Sequence, residues 1–184
     1  MQLKDNKVIV IKKYIAGDTL DETFKKVQNS KDYLEKMCDL QIEINKAEVD
    51  LPRKYSDKLK EYLGRIEVPN KDLILNRINR LKENHLCHED LHPQNIIVNN
   101  DKLVAIDWNN AVCGDPLLDV ARTYMFFENH SKGVGDVYLN MYEKKTYIKK
   151  ETVLEYMPFT ALDFLGEKVN AKNPEYLLSL IKKL

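Results

Sequence analysis

The sequence predicts a mostly helical α+β domain, and three observations carry that expectation. A short β-type run, Ile96-Ile97-Val98, is joined through Asn99-Asn100-Asp101 to a second run ending at Asp107, which reads as strand, tight turn, strand. Apolar residues recur at helical spacing between positions 20 and 47, among them Leu34, Met37 and Ile44. Proline-marked helix starts at Asp115-Pro116 and Asn173-Pro174 then open two further helices.

The totals narrow the class. At 184 residues one domain is the natural expectation, with enough chain to bury a proper core. Lys plus Arg number 29 and Asp plus Glu number 29, so no net field recruits nucleic acid or an anionic membrane. Cys38, Cys87 and Cys113 lack Cys-x-x-Cys spacing, and the first residues lack the apolar core of a signal peptide. A reduced cytoplasmic protein is expected. No apolar run reaches bilayer length.

Residues 1–15, MQLKDNKVIVIKKYI, read as a short strand, an Asp5-Asn6 turn and a longer strand over 8–11, with Gly17 turning the chain afterwards. The unbroken apolar run at 8–11 suits a strand covered on both faces, and a lone hairpin is marginal in water. It is therefore expected to find cover, either a homodimeric second copy of the chain or a separate small lobe. From 20 to 47 the pattern is helical, with Ser30 as an N-cap and the stripe Leu34, Met37, Ile44 facing the core. Leu51-Pro52 breaks that run, and a helix over 56–64 follows. A further helix over 71–82 is expected to carry Leu73, Arg77 and Arg80 toward the loop before His88.

Beyond the central hairpin, Asp115 caps a helix whose first position is Pro116. Asp119 lies one turn on, among Leu117, Leu118, Val120 and Ala121; it needs a hydrogen-bonding partner if buried, or serves the helix dipole if exposed. Helices are then expected over 136–145, over 150–169 with a break or restart at Pro158, and over 174–183 with Asn173 as cap.

The chemistry concentrates between His88 and Arg122. Asp90 stands five residues before Asn95, and the hairpin brings Asn95 close to Asp107. A carboxylate that can accept a hydroxyl proton, beside an amide oxygen and a second carboxylate that suit a hard cation, are the parts that phosphoryl transfer needs. The same letters admit another reading. His88-Glu89-Asp90-Leu91-His92 satisfies H-E-x-x-H, a zinc hydrolase signature that requires both histidines on one helical face. Pro93 opposes it, disfavouring helical backbone at His92 and clashing with the carbonyl of Glu89. His88 and His92 can also be read as ordinary loop histidines.

At these positions the sequence resembles the aminoglycoside phosphotransferase and choline kinase family, relatives of the protein kinases. His88, Asp90 and Asn95 meet H-x-D-x-x-x-x-N, Ile106-Asp107-Trp108 stands in the D-F-G place, and Gly114-Asp115-Pro116-Leu117-Leu118-Asp119-Val120-Ala121 is similar to the family's following element. The resemblance implies a protein-kinase-like C-terminal lobe over 16–184 and a remnant small-lobe hairpin and hinge over 1–15. It gives Asp90 the role of base, with His88 positioning the catalytic loop, Asn95 and Asp107 the binding of Mg²⁺, and Lys13, Tyr14 and Ile15 the adenine contacts of the hinge. Trp108 would pack beneath the loop and Asp119 would hold it. ATP or another nucleoside triphosphate would be the phosphate donor and a small-molecule hydroxyl the acceptor. Tyr138, Tyr142, Tyr156, Asp163 and Glu167 are residues that could face that acceptor.

The family's small lobe carries a Gly-rich phosphate loop and a strand lysine. No Gly-rich loop precedes Ile9-Val10-Ile11-Lys12, so Lys12 is not assigned as the nucleotide lysine. The expectation is a kinase large lobe that is incomplete without a small lobe. A kinase-derived binding module without turnover is the alternative.

Overall fold

The computed structural model describes residues 14–167 and 173–183. The hairpin expected over the first residues, Lys13 and the partner that would cover them therefore lie outside the described residues. Among the described residues, two small antiparallel sheets sit against a helical body. The elements are β1 Asp18–Thr19, α1 Leu20–Lys26, α2 Ser30–Lys46, α3 Tyr55–Arg65, α4 Lys71–Ile78, β2 His85–Cys87, β3 Ile96–Asn99 and β4 Lys102–Ala105. They continue with β5 Val112–Gly114, α5 Pro116–His130, α6 Val134–Thr146, α7 Lys150–Leu154, α8 Met157–Gly166 and α9 Pro174–Ile181. One sheet has the order β1-β3-β4 and the other pairs β2 with β5.

The β3–β4 hairpin turns on two residues. Asn100 and Asp101 have φ of 46° and 62°, the pair of positive values that defines a turn whose twist matches its strands. Asn99, expected in the connection, pairs with Lys102 instead. The ladder outlasts the strands: the Ile106 amide donates to the Asn95 carbonyl at 2.9 Å, which aligns the residue before Asp107 with Asn95. Gly17 brings β1 alongside. Its φ is +138°, and a Cβ there would lie 2.1 Å from the Val98 carbonyl oxygen, so this approach is open to glycine alone.

The helical stretch expected over 20–47 is two helices. Thr19 and Glu22 close a capping box on α1, and the chain becomes extended at Val27. Asn29, not Ser30, caps α2 by accepting from the Lys31 amide. Leu34, Met37, Cys38, Gln41 and Ile44 all face inward, and each large apolar side chain fully buried contributes about 1.5–3 kcal/mol. Helix α4 stops at Ile78, short of the expected 82. Leu73 is exposed, while Arg77 and Arg80 border a small cleft with Leu81, Glu155, Tyr156 and Phe159.

Strands β2 and β5 were not expected, since three residues are too few for period 2 to show. Tertiary pairing makes them: Leu86 sits opposite Cys113, and the Leu86 amide donates to Ala47. Near the C-terminus the chain restarts at Met157 with Pro158 inside the first turn of α8, where its missing N–H costs no hydrogen bond. The Asn173 side chain caps α9 by accepting from the Tyr176 amide. Helix α8 packs on α3, α5 and α9, so α3, α5 and α8 converge beneath the loop that β2 delivers.

Candidate active site

The loop from His88 to Asn95 is tied down from three directions. His88 is fully buried. Its Nδ1 accepts from the Asp90 amide at 3.3 Å and its Nε2 contacts the Ile106 carbonyl at 2.9 Å. With Nδ1 accepting, the ring hydrogen belongs on Nε2 and donates to Ile106. One neutral imidazole thus joins the backbone at Asp90 to the backbone just before Asp107. The Trp108 indole packs on that ring with centroids 4.5 Å apart, and its Nε1 donates to the Ala105 carbonyl at 3.0 Å.

Asp119 holds the loop from below. It is 1% exposed. Its Oδ2 accepts from the His88 amide at 3.1 Å, Gln41 Nε2 at 3.1 Å and Asn45 Nδ2 at 2.9 Å, while Oδ1 accepts from the Glu89 amide at 2.8 Å. Four donors satisfy this buried carboxylate, which would otherwise be costly to dehydrate. Thr123 adds a hydrogen bond to the Leu91 carbonyl. The hold is needed because Glu89 has φ of 65°, a left-handed conformation costing a non-glycine residue about 1–2 kcal/mol. Asp107, with φ of 63°, is strained in the same way, and such outliers cluster at functional sites.

The Glu89 side chain enters a buried charge cluster. Lys58 Nζ lies 2.8 Å from Glu89, 2.9 Å from Asp163 and 2.7 Å from Glu167. Arg122 pairs with Asp163 and, at 2.7 Å, with Glu167; the Tyr55 hydroxyl donates to Asp163 at 2.9 Å. Three carboxylates face two cations. Burial, then the charge of Asp163, push the Glu89 carboxyl up to about 7 against the pull of Lys58 and Arg122.

Asp90 and Asn95 meet directly. Asn95 Nδ2 donates to the Asp90 carbonyl at 2.9 Å and to Asp90 Oδ2 at 3.0 Å, so the amide oxygen is the atom of Asn95 left to ligate. Burial alone would raise the Asp90 carboxyl, but the His92 ring, the Arg122 charge and the Asn95 amide outweigh it and hold the group below the usual carboxylate range. Asp107 stands exposed at the foot of β4, with Oδ1 accepting from Asn109 Nδ2 at 2.5 Å. Asp90 opens onto a cleft of about 790 Å³ whose walls include Arg53, Tyr62, His92, Phe126, Phe164 and Glu167.

The zinc reading finds no support in this geometry. Residues 88–92 form no helix, and both ring nitrogens of His88 are engaged with backbone.

The model of a phosphotransferase enzyme family matches residues 13–166. The chain belongs to this phosphotransferase family. Protein LicA of Haemophilus influenzae is 36% identical over 91 residues, covering 49% of this chain and 24% of that protein. A second LicA, from the Rd strain, is 35% identical over 91 residues, 49% of this chain and 30% of that protein. The crystal structure of choline kinase LicA from Streptococcus pneumoniae superposes with a TM-score of 0.58 at 20% identity, covering 84% of this chain and 64% of that one. LicA in complex with AMP gives a TM-score of 0.56 at 21% identity, covering 90% and 63%. The chain thus spans about a quarter to a third of the curated relatives and under two thirds of the solved ones. Its mostly helical α+β fold is that of the kinase-like choline kinase LicA.

Within this phosphotransferase fold the sequence-derived site residues divide. His88, Asp90, Asn95, Trp108 and Asp119 share one network, and Asp107 follows directly on the Ile106 carbonyl that His88 contacts. Tyr14 and Ile15 precede β1, with Tyr14 exposed. Of the residues named as able to face an acceptor, only Glu167 lines the Asp90 cleft. Tyr138 is buried with its hydroxyl on Gln41, Tyr142 is buried in the core, Tyr156 donates to Asp115, and Asp163 is sealed in the charge cluster. Sequence reading missed Lys58, Arg122, Gln41 and Asn45. A signal existed for one of them: Lys58 falls on the apolar stripe of Tyr55, Leu59 and Leu63. A charge on a buried face requires a partner.

Proposed function

We propose that this chain is the large lobe, over 16–184, of an ATP-dependent phosphotransferase that moves a γ-phosphate to the hydroxyl of a small molecule, with residues before it acting as hinge. The observation that carries the reading is the meeting of Asp90 and Asn95, 3.0 Å apart, at the open end of one hairpin, where Asp107 follows directly on the Ile106 that pairs with Asn95, with a cleft alongside Asp90. Asp90 takes the acceptor's proton as its oxygen bonds to the γ-phosphorus. The bond from that phosphorus to the β,γ-bridging oxygen breaks, and the nucleoside diphosphate leaves with that electron pair.

The donor set fits a hard cation, since Asn95 offers its amide oxygen and Asp107 a carboxylate. Asn95 and Asp107 would hold Mg²⁺, which when bound neutralises charge on the phosphate oxygens. His88 orients the loop, and backbone near Lys13, Tyr14 and Ile15 receives the adenine or another base.

The choline kinase named among the relatives favours an amino alcohol as acceptor. Tyr62 and Phe164 line the cleft, but Lys58 and Arg65 already stand over the Tyr62 ring at 5.7 Å and Arg122 over Phe164 at 4.9 Å, while Phe126 is stacked between His92 and His130. Glu167 is likewise met by Lys58 and Arg122, so Asp90 would supply most of the attraction for a cationic head group. Cys38, Cys87 and Cys113 are free and buried, which supports a reduced, cytoplasmic setting. No described helix is long and apolar enough to cross a membrane.

The test combines binding and turnover. Mg·ATP should raise the melting temperature of the chain, and choline or a related amino alcohol should release ADP in proportion to phosphorylated product. Stabilisation without product would identify a binding module. The absence of both effects would overturn the reading.

A further inference from the structure

The structure assigns a specific task to His92, which neither the family match nor the H-x-D-x-x-x-x-N pattern gives any role. We propose that His92 is a positioning residue for Asp90, holding the second carboxylate oxygen while Asn95 holds the first, in a ring fixed from the side by α5. This rests on the phosphotransferase reading only for its consequence on rate; the geometry stands by itself.

His92 Nδ1 accepts from the Gln94 amide at 3.3 Å, capping the short 3₁₀ turn Pro93–Asn95. The neutral ring therefore carries its hydrogen on Nε2. That nitrogen lies 3.6 Å from Asp90 Oδ1 and 3.2 Å from Asn95 Nδ2. His92 Nε2–H and Asn95 Nδ2 are both donors, so the N–H of His92 has Asp90 as its acceptor, and Asn95 Nδ2 serves Asp90 Oδ2. At 3.6 Å the contact is longer than a formed hydrogen bond; such contacts tighten when a substrate completes the site.

The ring is prevented from swinging away. It stacks on Phe126 with centroids 4.5 Å apart and an interplanar angle of 9°, and Phe126 stacks on His130 at 4.2 Å and 21°. His130 is itself anchored, Nδ1 to the Phe126 carbonyl at 2.8 Å. Three rings form a ladder along one side of the cleft, and its innermost member faces the carboxylate. Held only by Asn95, Asp90 could rotate about its terminal torsion. Two opposed contacts fix the plane of the carboxylate, and reaction rates respond steeply to such orientation.

Two variants and one spectroscopic signal test this. In ¹⁵N–¹H spectra of the whole chain, His92 should be the Nε2–H tautomer, and its Nε2–H signal should move upfield in Asp90→Asn, where a neutral acceptor replaces the carboxylate. An Nδ1–H tautomer, or a signal indifferent to that substitution, overturns the proposal even if no turnover is ever seen. In kinetics, His92→Phe keeps the stack and loses the N–H, and should lower kcat about tenfold or more with the KM values for nucleotide and acceptor within about twofold. His92→Gln can return a donor near the Nε2 position and should recover most of that loss. A His92→Phe enzyme with wild-type kcat, or a Gln variant no better than Phe, overturns it. If the wild-type chain transfers no phosphate to any alcohol while the spectra behave as stated, the phosphotransferase reading fails and the Asp90–His92 geometry stands.

Discussion

The Asp119 carboxylate accepts the Glu89 amide at 2.8 Å and so holds in place a residue whose backbone is in the left-handed region. Asp119 is buried, and its other oxygen gathers donors from α2 and from His88. Asp119→Ala should therefore cost about 3 kcal/mol or more, since several buried donors lose their acceptor at about 1–3 kcal/mol each. Urea unfolding monitored by Trp108 fluorescence measures it. A loss under about 1 kcal/mol, the size of one ordinary hydrogen bond, would show that the loop does not depend on this carboxylate.

Asp90 should separate chemistry from stability. Its side chain keeps 34% exposure, so Asp90→Asn should leave the melting temperature nearly unchanged. Turnover should fall by about 10²–10⁴, the range for general acid–base groups. An unchanged rate would remove Asp90 from the mechanism.

The charge cluster gives stability a pH dependence. The Glu89 carboxyl is raised from 4.5 to about 7 by burial and by Asp163, so the folded state holds a proton that the unfolded state releases. Its contribution is fully present below about 4.5 and is lost as pH rises through about 7. Glu89→Gln should flatten the fall of unfolding free energy across that window. Parallel curves for wild type and variant would place the titration elsewhere.

Lys58 is the cation common to Glu89, Asp163 and Glu167. Lys58→Met removes it without opening a cavity and should destabilise by about 3–5 kcal/mol, the cost of leaving buried charge uncompensated. Calorimetry at neutral pH would read this, and a neutral outcome would mean that Arg122 alone suffices for the three acids.

The hairpin offers a gain. Asp101 holds φ of 62° in the second turn position, where glycine carries no Cβ penalty. Asp101→Gly should stabilise by about 0.5–1 kcal/mol, visible as a higher urea midpoint. Lys36 contacts only the carbonyl at this position, so that hydrogen bond survives the change.

The sequence by itself determined what depends on near neighbours. The hairpin is legible because two turn-forming residues and two β-type runs lie within a dozen positions, and Asp115 and Asn173 are legible as caps because a cap serves an amide two or three residues away. The order His88, Asp90, Asn95, Asp107 is likewise local, so these candidate site residues are legible together in the sequence.

Only the tertiary structure decided what those parts lean on. Gln41 and Asn45 reach Asp119 across 78 and 74 residues of chain, and Lys58 meets Glu167 across 109. No periodicity encodes such pairings, because a buried charge takes whichever partner packing brings to it. The start of α2 fell at Asn29 and not at the expected Ser30 for a related reason: apolar spacing marks which face is buried, while the capping side chain marks where the backbone restarts. His92 shows the same division, its place in the loop written locally and its ring oriented by Phe126, which the packing of α5 puts beside it.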